Sequence, residues 1–233
     1  VGMTCCILVS LFVIDEFAYG SHHEKRDRIS RLLRKTERSD IPQSIGRSVT
    51  GGLADVLPER IPEVEAATRH MLRISWFHRD GERFRKWILV VDPSYFKIFT
   101  TPGLTGDSNE LLAPGGAVLA TREAAELFGI KTADGQAFHA EHDYVLGDYQ
   151  LAGLVEGVPT RSDFRYDFLT TTVTTARDRH SVWSRWSPGN SSENQTFLLL
   201  AEDADPDVVE AKITELVRSE LPSDHAERYT YML

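Results

Sequence analysis

The chain opens on fourteen residues without a charge, VGMTCCILVSLFVI, and turns abruptly polar at Asp15 and Glu16 before a cluster of His, Lys and Arg. That run is shorter than the roughly 20 helical residues needed to cross a bilayer. It also lacks the basic start and the small-residue cleavage site of a secretory signal. Two readings remain. One is a buried helix or strand of a core. The other is the outer half of a membrane helix that begins upstream, which an opening Val1 would suit. Phe12, Phe17 and Tyr19 near its polar end suit the second, because amphipathic rings gather at membrane interfaces.

Beyond this stretch the apolar positions alternate between two periods. Residues 28–36 are short and basic with Ile29, Leu32 and Leu33 apolar, consistent with a strand. Residues 47–60 place Val49, Leu53, Val56 and Leu57 at helical spacing and predict an amphipathic helix that ends before Pro58. Residues 68–77 alternate, Asp80-Gly81 is a type I′ turn signal, and residues 84–91 return, which together predict a hairpin. Pro93 opens a helical turn carrying Tyr95, Phe96 and Phe99. In GGAVLATREAAELFG a short strand leads to an N-cap at Thr121, a helix through Phe128 and a stop at Gly129.

Residues 149–155 and 164–175 predict strands, the polar residues 177–195 a loop, and residues 196–201 an apolar strand. In DADPDVVEAKITELVRSEL, Asp205 caps a helix begun by Pro206, whose buried stripe is Val209, Ile213, Leu216, Val217 and Leu221. The expected class is α+β, with strand-helix-strand units at both ends flanking a β-rich middle.

Composition adds exclusions. Of 233 residues, 26% are charged and 41% hydrophobic, which suits a folded domain with a substantial core. A net charge of −9 argues against a general nucleic-acid binder, which must displace counterions with concentrated positive charge. Both cysteines, Cys5 and Cys6, lie in the opening run, so the body has neither a disulfide framework nor a cysteine metal site.

The densest chemistry is FHAEHDY, with His139, Glu141, His142 and Asp143. As a strand it puts His139, Glu141 and Asp143 on one face and His142 on the other; as a turn it leaves all four solvated. A metal-dependent hydrolase using His139, Glu141 and His142 is the alternative to a purely polar turn. His22-His23-Glu24 presents the same choice between a weak metal site and a polar collar. There is no G-x-S-x-G elbow, and FGIKT lacks the G-x-x-x-x-G-K of a phosphate loop, so neither acyl transfer nor ATP hydrolysis is expected of this chain. No catalytic, cofactor-binding or metal residue is therefore assigned. Trp183 and Trp186, in the polar loop, are candidate partner contacts.

Six ordered segments carry a resemblance: CCILVSLFVIDEFAYGSHHEKRDRISRL, IPEVEAATR, VVDPSYFKIF, LLAPGGAVLATREAAELFG, YQLAGLVEGVPTRSDFRYDFL and TFLLLAEDADPDVVEAKI. Together they resemble the end of the first transmembrane helix and the large extracytoplasmic domain of MacB/FtsX-like ABC transporter permeases, the Bacteroidetes-type members above all. Departures occur at Gly20 and at 135–138 and 159–163, where the family's usual residues are replaced.

The resemblance implies a periplasmic core domain. Residues 1–18 would be the C-terminal part of a transmembrane helix, 19–90 and 158–233 a porter-like subdomain, and 91–157 an inserted β-rich, sabre-like subdomain. It implies a non-enzymatic permease component of the bacterial inner membrane, with its folded part in the periplasm. A separate ABC ATPase would bind ATP, this chain would hold no cofactor, and ATP hydrolysis would be coupled to conformational change, export or mechanotransmission. Expected partners are that ATPase, a second permease copy or paralogue, and a periplasmic adaptor or lipoprotein, with no nucleic acid.

Overall fold

The computed structural model describes residues 2–17, 20–36, 43–79, 81–104, 107–113, 117–130, 137–141, 147–159, 162, 164–171, 191–220 and 229–233. In chain order the elements are α1 (Gly2–Phe17), a single 3-10 turn (Arg26–Arg28), β1 (Ile29–Thr36), β2 (Ile45–Gly46), β3 (Ser48–Thr50), α2 (Leu53–Arg60), β4 (Val64–Arg79), β5 (Glu82–Val91) and α3 (Tyr95–Ile98). Then follow α4 (Ser108–Leu112), β6 (Ala117–Thr121), α5 (Arg122–Leu127), β7 (Ala137–Glu141), β8 (Gly147–Val155), β9 (Phe168–Thr171), β10 (Ser191–Leu200), α6 (Pro206–Glu220) and β11 (Tyr229–Met232).

The two ends of the chain meet in an antiparallel sheet ordered β11-β1-β10-β4. Its strands alternate, and both faces are covered. Leu198 and Leu200 of β10 pack with Leu53 and Leu57 of α2 and with Val209 and Ile213 of α6. Phe197 and Leu199 turn to the other face, against Tyr95, Ile98 and Phe99. Because both faces of β10 are buried, its sequence reads as the near-continuous apolar run TFLLL rather than as an alternation.

β4 belongs to two structures at once. Its first half, Val64 to His70, pairs with β10; its second half, from His70 onward, pairs with β5 along the whole hairpin. From there the pairings run β5-β9, β9-β6, β6-β8 and β8-β7, and β7 returns to β4 through Trp76, Phe77 and His78. Six strands therefore close into a barrel, which satisfies their backbone groups without leaving a free edge. Met71, Phe77, Ile88, Val118, Leu151 and Phe168 form its core with Phe128 just beyond α5. Phe77 and Phe168 stack with ring centroids 4.3 Å apart.

Local signals hold where local chemistry decides. Thr121 accepts from the Ala124 N–H at 3.2 Å, Gly129 has φ +67°, and the Asp205 side chain accepts from Asp207 N–H at 3.0 Å. Gly81, at φ +82°, occupies the hairpin turn; Asp80 lies outside the described residues.

Three element expectations need correction. The helix predicted over 47–60 is two elements: Gly51-Gly52 breaks the run, Val49 joins β3, and α2 begins at Leu53. That helix also continues through Pro58; burial of Leu53, Ala54 and Leu57 offsets the one backbone donor proline removes. The strand predicted over 164–175 is regular only over Phe168–Thr171 within the described residues. The predicted loop over 177–195 ends earlier, because β10 starts at Ser191, where its polar first half pairs with β3.

Candidate functional site at the exit of the first helix

Among the described residues, α1 is unlike every other helix. Each residue from Met3 to Phe12 is exposed, including Met3 at 79%, Leu8 at 62% and Phe12 at 64%. The reading of this stretch as a buried core helix is therefore overturned. Among the described residues no helix is long and apolar enough to cross a membrane. At about 1.5 Å per residue, sixteen residues reach roughly 24 Å, short of the ~30 Å hydrocarbon core. A helix apolar on all sides is nonetheless unfavourable in water and calls for apolar surroundings.

The segment after α1 is fixed to the body. Gly20, at φ +68°, allows a tight turn closed by the His23 N–H to Gly20 carbonyl bond of 3.0 Å. His23 Nδ1 accepts from Thr100 N–H at 3.2 Å, so that nitrogen is unprotonated. The Glu24 N–H donates to Thr100 Oγ1 at 3.1 Å, and Lys25 Nζ donates to the Lys97 carbonyl at 2.8 Å. The His23 ring meets Phe99 edge-on at 4.9 Å. Three consecutive residues thus clamp the exit to the end of α3. The chain then enters β1 in the middle of the sheet, and Arg28 pins it there by donating to Glu65 and to the Leu200 carbonyl.

Beside this clamp lies a cavity of about 600 Å³. Arg26, Arg31 and Arg47 line it together with Phe99, Phe164 and Phe197, and Gly20 and His23 form its edge toward α1. The Arg31 guanidinium lies 5.2 Å from the Phe197 ring centroid and 6.0 Å from that of Phe164, within cation–π range.

Behind these rings is His70, only 2% exposed, with Tyr95, Phe99, Phe164 and Phe197 all at centroid distances of 4.5–5.2 Å. Neither ring nitrogen has a hydrogen-bond partner among the described residues. Burial, helped by the charge of Arg31, pushes its pKa down to about 3, so the ring is neutral. Burial likewise raises Tyr95 and takes Tyr166 up to about 12.

The histidine-rich motif behaves differently. β7 is a strand, and His139 and Glu141 are both exposed on it. They take separate partners: His139 Nδ1 lies 2.8 Å from Asp148 Oδ1, and Glu141 Oε2 lies 3.1 Å from His78 Nε2. Among the described residues no three such ligands converge on one point, and His142 and Asp143 lie outside them. The metal-dependent hydrolase thus finds no support. Trp183 and Trp186 also lie outside the described residues.

Beyond α1, exposed aromatics among the described residues are Trp76, at 38%, and Trp87, at 42%, on the outer barrel wall, with the Arg83 guanidinium 4.3 Å from the Trp76 ring centroid. Sequence reasoning passed over them. The alternation in RISWFHR and KWILVV was the available signal, since it puts Ile74, Trp76 and Trp87 on one face of the hairpin.

Residues 1–216 match the family model of the MacB-like periplasmic core domain. Several solved structures share the fold. A domain assigned to a permease protein from Porphyromonas gingivalis aligns with a TM-score of 0.74 at 19% identity, over 90% of each chain. The extracellular domain of the noncanonical ABC-type transporter YknZ from Gram-positive bacteria gives 0.59 at 13% identity, over 88% of this chain and 100% of that one. The periplasmic region of MacB from Actinobacillus actinomycetemcomitans gives 0.55 at 13%, over 92% and 90% respectively. No curated protein matches this chain.

Proposed function

The chain belongs to the family of MacB-like periplasmic core domains, and on that premise we propose that it is the extracytoplasmic part of an ABC transporter permease, coupling ATP hydrolysis by a separate ATPase to motion outside the membrane. The observation that carries this reading is the exposed apolar helix α1 joined through a hydrogen-bonded clamp to the centre of a sheet. In this reading α1 is the outer end of a membrane helix and the folded body lies in the periplasm. Residues 19–90 and 158–233 would act as the porter-like part and 91–157 as the inserted part.

A displacement of α1 has a continuous route into the body. His23, Glu24 and Lys25 transfer it to α3, and β1 transfers it to β10 and then to β4. β4, sixteen residues long, is shared between sheet and barrel, so a tilt of the sheet moves the barrel wall. The protein contributes no chemical step. ATP is bound by the ATPase subunit, and a second permease copy or paralogue and a periplasmic adaptor or lipoprotein complete the assembly.

The test is the natural permease containing this chain, purified with its ATPase and reconstituted. His23→Ala with Lys25→Ala should leave the ATPase bound while lowering transport or signalling per ATP hydrolysed several-fold. Full coupling in that variant, or no associated ATPase at all, sinks the reading.

A further inference from the structure

We infer that His23 is an acid-sensitive latch: its neutral ring fastens the exit of α1 to the end of α3, and protonation of that ring opens the fastening. The inference rests on the reading of α1 as the element that moves the body, and adds to it a control by pH. Its own support is the direction of one hydrogen bond. His23 Nδ1 accepts from the Thr100 N–H at 3.2 Å, which only an unprotonated nitrogen can do. An imidazolium carries a hydrogen on both nitrogens, so turning the ring over does not restore the acceptor. Protonation leaves two N–H groups facing each other where a bond had been. The other two bonds of the clamp do not respond, because Glu24 uses its backbone N–H toward Thr100 Oγ1 and Lys25 Nζ donates to the Lys97 carbonyl. With the first bond open, a displacement of α1 is taken up in the turn at Gly20 instead of passing to α3.

The surroundings of the ring are compatible with this. His23 is half-buried, within reach of solvent protons, and imidazoles ordinarily change charge between about pH 5 and 8. On its own segment it is flanked by Glu24, Lys25 and Arg26, and by His22, whose ring centroid is 3.8 Å away. Burial lowers the pKa of His22, so this neighbour stays neutral further into acid than an exposed imidazole would. From α3 come Lys97, bonded to Lys25, and Phe99, whose far side meets neutral His70 of β4. Arg31 of β1 and Arg47 line the cavity that His23 borders. The latch requires none of these groups to be unpaired. A carboxylate on the other ring nitrogen would raise the pH at which His23 protonates without returning a lone pair to Nδ1.

Hydrogen–deuterium exchange at the Thr100 amide, in the whole permease with its ATPase, reads the bond without reference to activity. The comparison is with His23→Asn, whose amide oxygen stands where Nδ1 stood and cannot titrate. From pH 7.5 to pH 5.5, corrected for intrinsic exchange, Thr100 protection should fall about tenfold further in the parent than in His23→Asn, the scale of one lost hydrogen bond. Acid effects elsewhere, His70 included, act on both proteins and cancel. Transport or signalling per ATP hydrolysed should fall several-fold further in the parent over the same interval. His22→Gln should respond like the parent.

Equal changes in parent and His23→Asn overturn the inference, as does a response that His22→Gln abolishes and His23→Asn retains. Should His23→Asn fail to assemble, the parent decides: undiminished Thr100 protection at pH 5.5 overturns it. ATPase association at pH 7.5 is a separate readout. Its presence with Thr100 indifferent to pH removes the latch alone, and its absence removes the permease reading instead.

Discussion

Arg69 and Asp92 form a two-pronged buried ion pair: Arg69 Nε donates to Asp92 Oδ2 at 2.8 Å and Nη2 donates to Oδ1 at 2.9 Å. The Arg69 backbone N–H also donates to Oδ2 at 2.8 Å, and the guanidinium's other edge grips Asp55 with two bonds of 3.0 Å. One side chain on β4 therefore ties α2 to the end of β5. Taking one partner from such a pair strands a buried charge. Asp92→Ala should cost about 3–5 kcal/mol in urea unfolding. Asp55→Asn, at a side chain 53% exposed, should cost about 1 kcal/mol. Replacing both buried partners, as Arg69→Met with Asp92→Leu, should recover part of the loss. Equal costs for the two single variants would refute this ranking.

His70 makes stability depend on pH. Its folded pKa of about 3 lies below the ordinary value of 6.5 because burial penalises the charged ring. Between those values the unfolded chain binds a proton that the folded chain refuses, so acidification destabilises the fold. The slope is about 1.4 kcal/mol per pH unit from this one group. His70→Phe keeps a ring among Tyr95, Phe99, Phe164 and Phe197 but cannot titrate. Its stability should fall less steeply than the parent's between pH 6 and pH 4, by roughly that slope. Parallel curves for parent and variant would show that His70 does not control the acid limb.

Two glycines with positive φ should respond unequally to alanine. Gly103 has φ +73°, and a Cβ there would lie 2.5 Å from Glu156 Cγ and 2.9 Å from the Glu156 backbone nitrogen. That nitrogen is held in place by its bond to the Pro102 carbonyl at 2.8 Å. Gly81 has φ +82° but open space around the added carbon. Gly81→Ala should cost about 1 kcal/mol for conformation alone, and Gly103→Ala roughly 2–3 kcal/mol. Thermal melts of the two variants check the order.

The barrel wall permits a test on adjacent residues. Phe77 is fully buried against Phe168, whereas Trp76 points outward at 38% exposure. Phe77→Ala should cost about 3–5 kcal/mol. Trp76→Ala should cost under about 1 kcal/mol. Comparable losses at the two positions would contradict the inward-outward alternation of β4.

Much of this was legible in short windows. The α6 stripe of Val209, Ile213 and Val217, the Thr121 cap and the Gly81 turn depend on residues within a few positions of one another, and the structure keeps all three. Where the reading failed, the deciding partner was distant. Val49 left a helical pattern for a strand because β3 pairs with β10, more than 140 residues away, and residues 191–195 became strand through the same pairing. The exit clamp was invisible for that reason as well, since His23 and Thr100 are 77 positions apart.

By itself, then, the sequence determined the α+β class, the apolar first helix, the local caps and turns, and a family resemblance carried by six ordered segments. Tertiary structure alone decided that β4 would serve both sheet and barrel, that His70 would be neutral in an aromatic box, and that three arginines from separate positions would share one cavity with three phenylalanines. The physical reason is range: hydrogen bonds within a turn or cap close over a few residues, whereas desolvation and charge depend on which remote surfaces the chain brings together.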